Sequence, residues 1–358
     1  MDIFEEMEKR GHEEINFFYE SDFDMKAIVA IHNSNLGKAF GPTRIGNYVY
    51  EEEAIADAIT LSHGETLSAS ISNCDLGGAF GILIKDEENP LSEGYLRAYG
   101  RFLQTFGKRI GTMTGVGLTQ EDMLCVAKEF KQIYGLPSYC GGLGDPHYYI
   151  AYGVLCGMRA CAAECFGNST LEKKKILIHG LNYAGLHLVK MLAKEGSEII
   201  ITDDKYDNVK RVKDEMPQVQ IVHPDEYHNL QVDIFAPCSY ISSTNVEYID
   251  KKMCKIIAGT SKVPLETEVL SEAAKKNGIL YIPDFVINAA EMIYAYSEIN
   301  NFDSERVKKH IEKIYDIVLE VIAKAKENNE TTSKVAEEMG WERLNIVRKL
   351  RKIYTGAF

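Results

Sequence analysis

Apolar and polar positions along this chain alternate in two rhythms. Residues 51–70, EEEAIADAITLSHGETLSAS, carry Ala54, Ile55, Ala58 and Leu61 at helical spacing. Their acidic residues come first, where a helix N-terminus favours negative charge. Residues 93–107 and 119–135 also read as helices, the second capped by Thr119 and ending at Gly135. The short apolar runs at 27–35 (AIVAIHNSN) and 79–84 (AFGILI) read as buried strands, and residues 1 to about 20 as a helix followed by an extended stretch.

After a Gly/Pro-rich loop at 135–147 the pattern becomes more regular. Residues 148–167 form a long apolar helix, whose composition suggests burial between domains. Then come a strand (173–180), a helix (181–196) and a strand (197–204), which together make a βαβ unit. Further short apolar strands at 232–238, 254–259 and 278–284 extend a parallel, doubly wound sheet. From about 286 the chain reads as mostly helical. The expectation is a two-domain α/β protein: an N-terminal α/β domain over 1–140, a Rossmann domain over 141–325, and C-terminal helices over 326–358 that pack back on the first domain.

Composition narrows the function classes. With 358 residues the chain is long enough for two cores. Its net charge of -13 gives no attraction for nucleic acid or an anionic membrane, so both are disfavoured as partners. The N-terminus lacks the apolar core of a secretory signal, and no apolar run reaches the ~18 residues of a membrane span. The eight cysteines form no C-x-x-C pair and mostly lie in apolar stretches. They read as buried thiols of a cytoplasmic protein, with no metal site implied.

The turn of the βαβ unit reads Gly180-Leu181-Asn182-Tyr183-Ala184-Gly185. The dinucleotide fingerprint is G-x-G-x-x-G/A, so the outer glycines Gly180 and Gly185 fit and Asn182 replaces the middle one. That glycine normally lets backbone approach the pyrophosphate. Asp203 ends the next strand, where an acid holds the ribose 2′-OH of NAD. Two readings stay open: NAD binding by these four residues, or a Rossmann unit that binds no dinucleotide.

Several stretches make the chain resemble the glutamate, leucine, phenylalanine and valine dehydrogenases, the leucine enzymes most of all. They are KAIVAIHNSNLGKAFGPTRI (26–45), LGGAFGILI (76–84), AYGVLCGMRAC (151–161), VDIFAPCS (232–239), KIIAGTSKVPL (255–265) and YIPDFVINAAEMI (281–293). The likeness runs from about residue 17 to 350. It implies a first domain carrying substrate groups and oligomer contacts, a Rossmann domain holding NAD, and a cleft between them. The implied reaction interconverts an L-amino acid with its 2-oxo acid and ammonia.

The same likeness exposes departures. The family's carboxylate-gripping lysine, in a T-Y-K segment, is replaced by Ser68. Its catalytic lysine, at the end of G-G-G-K, is replaced by Phe80. Its acid/base aspartate, in A-E-D-V-G, is replaced by Gly115. A threonine near the nicotinamide becomes Ile150, an asparagine becomes Lys262, and a glycine becomes Glu291. A positioned acid/base contributes about 10²–10⁴ in rate, so ordinary oxidative deamination is not expected.

Three readings follow. One is a repurposed enzyme acting on an amino, imino or oxo acid, with Lys262 and Glu291 as new catalytic groups beside the retained Asn288. Asp75, Glu65 and His63 are further cleft candidates, and each of the five taken singly reads more simply as a surface charge or half of a compensating ion pair. The second is a non-catalytic relative that binds a ligand or partner protein. The third is an NAD-dependent dehydrogenase with unusual ligands. A homo-oligomer is implied by resemblance, with a mixed oligomer as the variant. His147, His179 and the basic stretch RKLRKIY (348–354) read more simply as packed or solvated residues.

Overall fold

Two sheets organise the computed structural model, which describes residues 2–85, 91–239, 246–262 and 268–350. Residues 263–265 of the KIIAGTSKVPL stretch and 351–354 of RKLRKIY lie outside the described residues. The chain divides into two units: residues 1–146, 292–304 and 340–358 make the first, and 147–291 with 305–339 the second.

In the first unit the described strands are β1 (Glu14–Glu20), β2 (Met25–Asn33), β3 (Ala39–Phe40), β4 (Thr43–Gly46), β5 (Gly77–Ile84), β6 (Ile110–Met113) and β7 (Ile133–Tyr134). Their order is β1-β2-β5-β3-β6-β7, with β4 also on β5. The pairs β1–β2 and β2–β5 are antiparallel and the others parallel. The helices Glu93–Gln104 and Gln120–Ala127 cover one face, burying Val29, Leu83, Tyr95, Tyr99 and Phe102 in a shared core. The helix Glu51–Ile71 packs against β5 and β2, and Gly78 on β5 leaves room for its Thr66.

The helix expected over 119–135 stops at Ala127. It begins as expected: Thr119 caps it, with the Asp122 amide donating to Thr119 Oγ1 at 3.1 Å. Ile133 and Tyr134 instead join the sheet as β7, because pairing with Thr112 and Met113 satisfies their backbone where a continued helix would leave the edge of β6 open.

The second unit carries β8 (Lys175–His179), β9 (Glu198–Thr202), β10 (Gln220–Ile221), β11 (Ile234–Pro237), β12 (Ile256–Ile257) and β13 (Leu280–Tyr281). The order is β10-β9-β8-β11-β12-β13, all parallel. This is the doubly wound sheet that the apolar runs predicted. The chain leaves β8 toward β9 on one side and later returns to β11 on the other, so a topological switch point lies at the carboxyl ends of β8 and β11. The apolar helix Pro146–Phe166 packs within this unit: a Cβ on Gly153 would meet Ala290 at 2.5 Å and Ile314 at 3.0 Å. Among the described residues no helix is long and apolar enough to cross a membrane.

Candidate functional site

In the first unit, two of the altered positions lie on the helix Glu51–Ile71 and the strand β5, which pack against each other. Gly78, Phe80 and Ile82 alternate onto the face of β5 that meets this helix, since a Cβ on Gly78 would sit 2.2 Å from Thr66 Oγ1. Phe80 is only 3% exposed and Ser68 4%. Glu65 is equally buried, with its Cγ 3.3 Å from where a Gly41 side chain would begin. Gly115 lies against the backbone of Thr43, and any Cβ there would stand 2.3 Å from the Thr43 carbonyl oxygen. Any side chain at 115 would therefore require the Thr43 backbone to shift.

Two groups nearby were not found from sequence. Thr43 Oγ1 bonds Tyr99 Oη at 2.7 Å and Thr112 Oγ1 at 2.9 Å, a buried hydroxyl network. Beside Thr66, three histidine rings meet. His32 is fully buried, with ring centroids 4.7 Å from both His12 and His63, and Trp341 closes the cluster at 5.8 Å from His32. His32 Nε2 must donate to the Arg10 carbonyl at 2.8 Å, which makes Nδ1 the acceptor of the Thr66 hydroxyl at 2.7 Å. Burial holds His12 and His32 down to about 4 and His63 to about 3, with His32 adding to the effect on both neighbours. These are neutral, packed imidazoles. His63, expected as a cleft candidate, belongs to this cluster. Asp75 is tied to Arg343 at 2.5 Å.

In the second unit, Lys262, Asn288 and Glu291 converge. Lys262 Nζ lies 2.7 Å from Glu291 Oε2, with side chains 25% and 7% exposed. Asn288 follows the short helix Asp284–Ile287, its amide donating to Asp284 O and its own carbonyl accepting from the Glu291 amide. Asn288 Nδ2 donates to Ser261 O at 3.4 Å, and among the described residues its buried Oδ1 has no hydrogen-bond partner. Ile150 is half-buried on the helix Pro146–Phe166. His147 packs on Tyr183, and His179 on Tyr227.

The nucleotide fingerprint is built from β8, the helix Tyr183–Lys194 and β9. Gly180 takes φ +96°, and a Cβ there would lie 2.4 Å from the Ser239 amide. Asn182 is the helix N-cap: its Oδ1 accepts from the Gly185 amide at 2.7 Å, and its Nδ2 donates to Cys238 O at 2.6 Å. Asp203 accepts from the amides of Leu181 (2.6 Å) and Lys205 (2.7 Å) and from Asn208 Nδ2 (3.2 Å). A dinucleotide needs helix-tip amides for its pyrophosphate and a free acid edge for its ribose. Here the Gly185 amide is used by Asn182, while Asp203 Oδ2, bonded to the Leu181 amide, keeps a lone pair that a ribose hydroxyl can use. Of the four fingerprint residues, Asn182 is the one that does not fit a bound pyrophosphate in this conformation. Among the described residues no group of three or more His, Cys, Asp and Glu side chains is placed to hold a metal.

Comparison with known proteins extends these observations. Residues 14–135 match the family model "Glu/Leu/Phe/Val dehydrogenase, dimerisation domain", and residues 201–351 match "Glutamate/Leucine/Phenylalanine/Valine dehydrogenase". The chain is 36% identical over 354 residues to a leucine dehydrogenase of Thermoactinomyces intermedius, covering 99% of this chain and 96% of that one. The crystal structure of L-tryptophan dehydrogenase from Nostoc punctiforme superposes with a TM-score of 0.76 at 33% identity, covering 97% of this chain and 99% of that one. A hetero-hexameric glutamate dehydrogenase from Thermus thermophilus shares the fold, with a TM-score of 0.79 at 17% identity and coverage of 95% and 89%.

Proposed function

Since the chain belongs to the Glu/Leu/Phe/Val dehydrogenase family, we propose that it is a diverged member that binds an amino or oxo acid without carrying out ordinary oxidative deamination. The burial of Phe80 carries this reading. Resemblance puts the family's catalytic lysine at this position, and a 3%-exposed phenyl ring neither accepts a proton nor holds a charge. Ser68 offers a hydroxyl where the likeness implies a cation, and Gly115 offers no side chain. An amino-acid carboxylate taken out of water without a cation costs several kcal/mol, so the usual binding mode loses its anchor together with its acid/base.

The groups we assign to a ligand are Lys262, Glu291 and Asn288. The first two offer a cation and an anion, which match the two charges of a zwitterion. Asn288 Oδ1 is a buried acceptor suited to an ammonium or amide N–H. No hydride step is drawn, because Asn182 occupies the helix tip where the cofactor's pyrophosphate would bind.

A second reading, a non-catalytic subunit, is favoured by the Lys262–Glu291 pair itself. Two charges that neutralise each other need no substrate. On this reading the segment 14–135, which matches a dimerisation domain, carries assembly with a second copy or an active relative.

The test is an assay of the full chain with a panel of L-amino acids, and of 2-oxo acids with ammonia, using NAD and NADP. Binding of the same compounds is measured by calorimetry on the wild type, Lys262→Ala and Glu291→Ala. Binding without turnover, weakened in both variants, supports the first reading. No binding at all favours the second. Turnover of leucine, phenylalanine or tryptophan at rates ordinary for an enzyme would overturn both.

A further inference from the structure

We infer that Asn182 laces shut the crevice at the switch point of the second unit, so that the chain takes a dinucleotide poorly for a reason reversible at this one residue. The inference concerns the second unit alone and does not depend on the chemistry lost around Phe80.

The turn 180–182 is tied on both flanks. On the β9 side, Asp203 Oδ2 accepts the Leu181 amide at 2.6 Å. On the β11 side, Asn182 Nδ2 donates to the Cys238 carbonyl at 2.6 Å. Between them, Asn182 Oδ1 takes the Gly185 amide at 2.7 Å. Backbone also closes in from β11, since Ser239 lies where a side chain on Gly180 would begin. A diphosphate oxygen approaching the tip of the helix Tyr183–Lys194 would have to displace Oδ1 from Gly185 and break the tie to Cys238. It would replace one well-aligned hydrogen bond and lose a second.

A glycine at 182 removes both obstacles. The residue sits at φ -63° and ψ 174°, an extended conformation that glycine adopts without strain. Glycine is also among the tolerated N-caps. The freed Gly185 amide then joins the helix dipole as an anion donor.

The test is a titration of the full chain with NADH, read by calorimetry and by nicotinamide fluorescence, on the wild type, Asn182→Gly and Asn182→Asp. The expected result is binding at least about ten-fold tighter in Asn182→Gly than in the wild type, corresponding to one recovered hydrogen bond. Asn182→Asp, which keeps a capping oxygen and adds a negative charge, is expected to gain nothing. Should the glycine variant fail to fold, Asn182→Ser carries the test: it keeps an N-cap oxygen, loses the tie to Cys238, and is expected to gain in the same direction. Micromolar binding of NADH by the wild type overturns the inference. So does a folded glycine or serine variant that binds no better than wild type.

Discussion

Lys262 and Glu291 meet as an ion pair at 2.7 Å, and the carboxylate side is much the more buried, 7% exposed against 25% for the lysine. The pairing is asymmetric in its consequences. Lys262 is close enough to solvent for its ammonium to reach water if its partner is lost.

Lys262→Met is therefore expected to cost more than Glu291→Gln. Removing the lysine strands a buried carboxylate, at about 2–4 kcal/mol, while removing the glutamate costs about 1 kcal/mol. The double variant should recover much of the loss of Lys262→Met. Urea unfolding of all four proteins at neutral pH measures this. Equal losses in the two single variants would show that the pair is not buried as described.

The cluster of His12, His32 and His63 predicts an acid-sensitive first unit. Each folded-state pKa lies below the ordinary 6.5, at about 4, 4 and 3. The unfolded chain thus binds more protons than the folded one in this range. The stability from keeping these rings neutral is complete above about pH 6.5 and is lost as pH falls toward 4. His12 and His63 keep some solvent contact, so the three rings together are expected to act as about two protons, roughly 2–3 kcal/mol per pH unit at the steepest point. Replacing His32 by Leu should flatten the stability slope between pH 6.5 and 4.5 by about one proton. A slope that does not change in the variant would assign the acid sensitivity to carboxylates instead.

Two glycines should respond in opposite directions to alanine. Gly115→Ala places a Cβ 2.3 Å from the Thr43 carbonyl and is expected to destabilise by about 1–3 kcal/mol or more. Gly64, inside the helix Glu51–Ile71, has open space around it, so Gly64→Ala should stabilise by about 0.5–1 kcal/mol. Thermal melts of the two variants against wild type decide this. A harmless Gly115→Ala would show that the Thr43 backbone yields, and that an aspartate could be accommodated there.

Capping by Asn182 has a stability signature of its own. Asn182→Ala should cost about 1 kcal/mol through the lost cap, and Asn182→Gly less, even though both lose the tie to Cys238. Denaturant midpoints would show the order. Alanine proving as stable as asparagine would mean that the side chain is not seated on the Gly185 amide.

Local pattern determined a good deal of this protein. The apolar runs and tight glycine turn of residues 173–204 specify a βαβ unit, because strand and helix periodicities are properties of neighbouring residues. The later runs, equally local, extend it into a parallel sheet. Thr119 announced its helix start because a cap acts within three residues. That Ser68, Phe80 and Gly115 carry no ionisable side chain at neutral pH was legible as well, since residue type alone decides it.

The tertiary structure decided the rest. β3 and β7, of two residues each, exist because a neighbour offers an edge, and no rhythm in their own sequence marks them. Lys262 and Glu291 were each readable as a charge, but only folding makes them one pair. The three histidines lie in a connection before β1, in β2 and in the helix Glu51–Ile71, and meet only through packing. Asn182 was visible as a missing glycine. That its amide group bridges β11 and the helix tip depends on Cys238, more than fifty residues further along the chain and beside it only in space. Contacts of this kind pair residues far apart in sequence, and no local spacing encodes them.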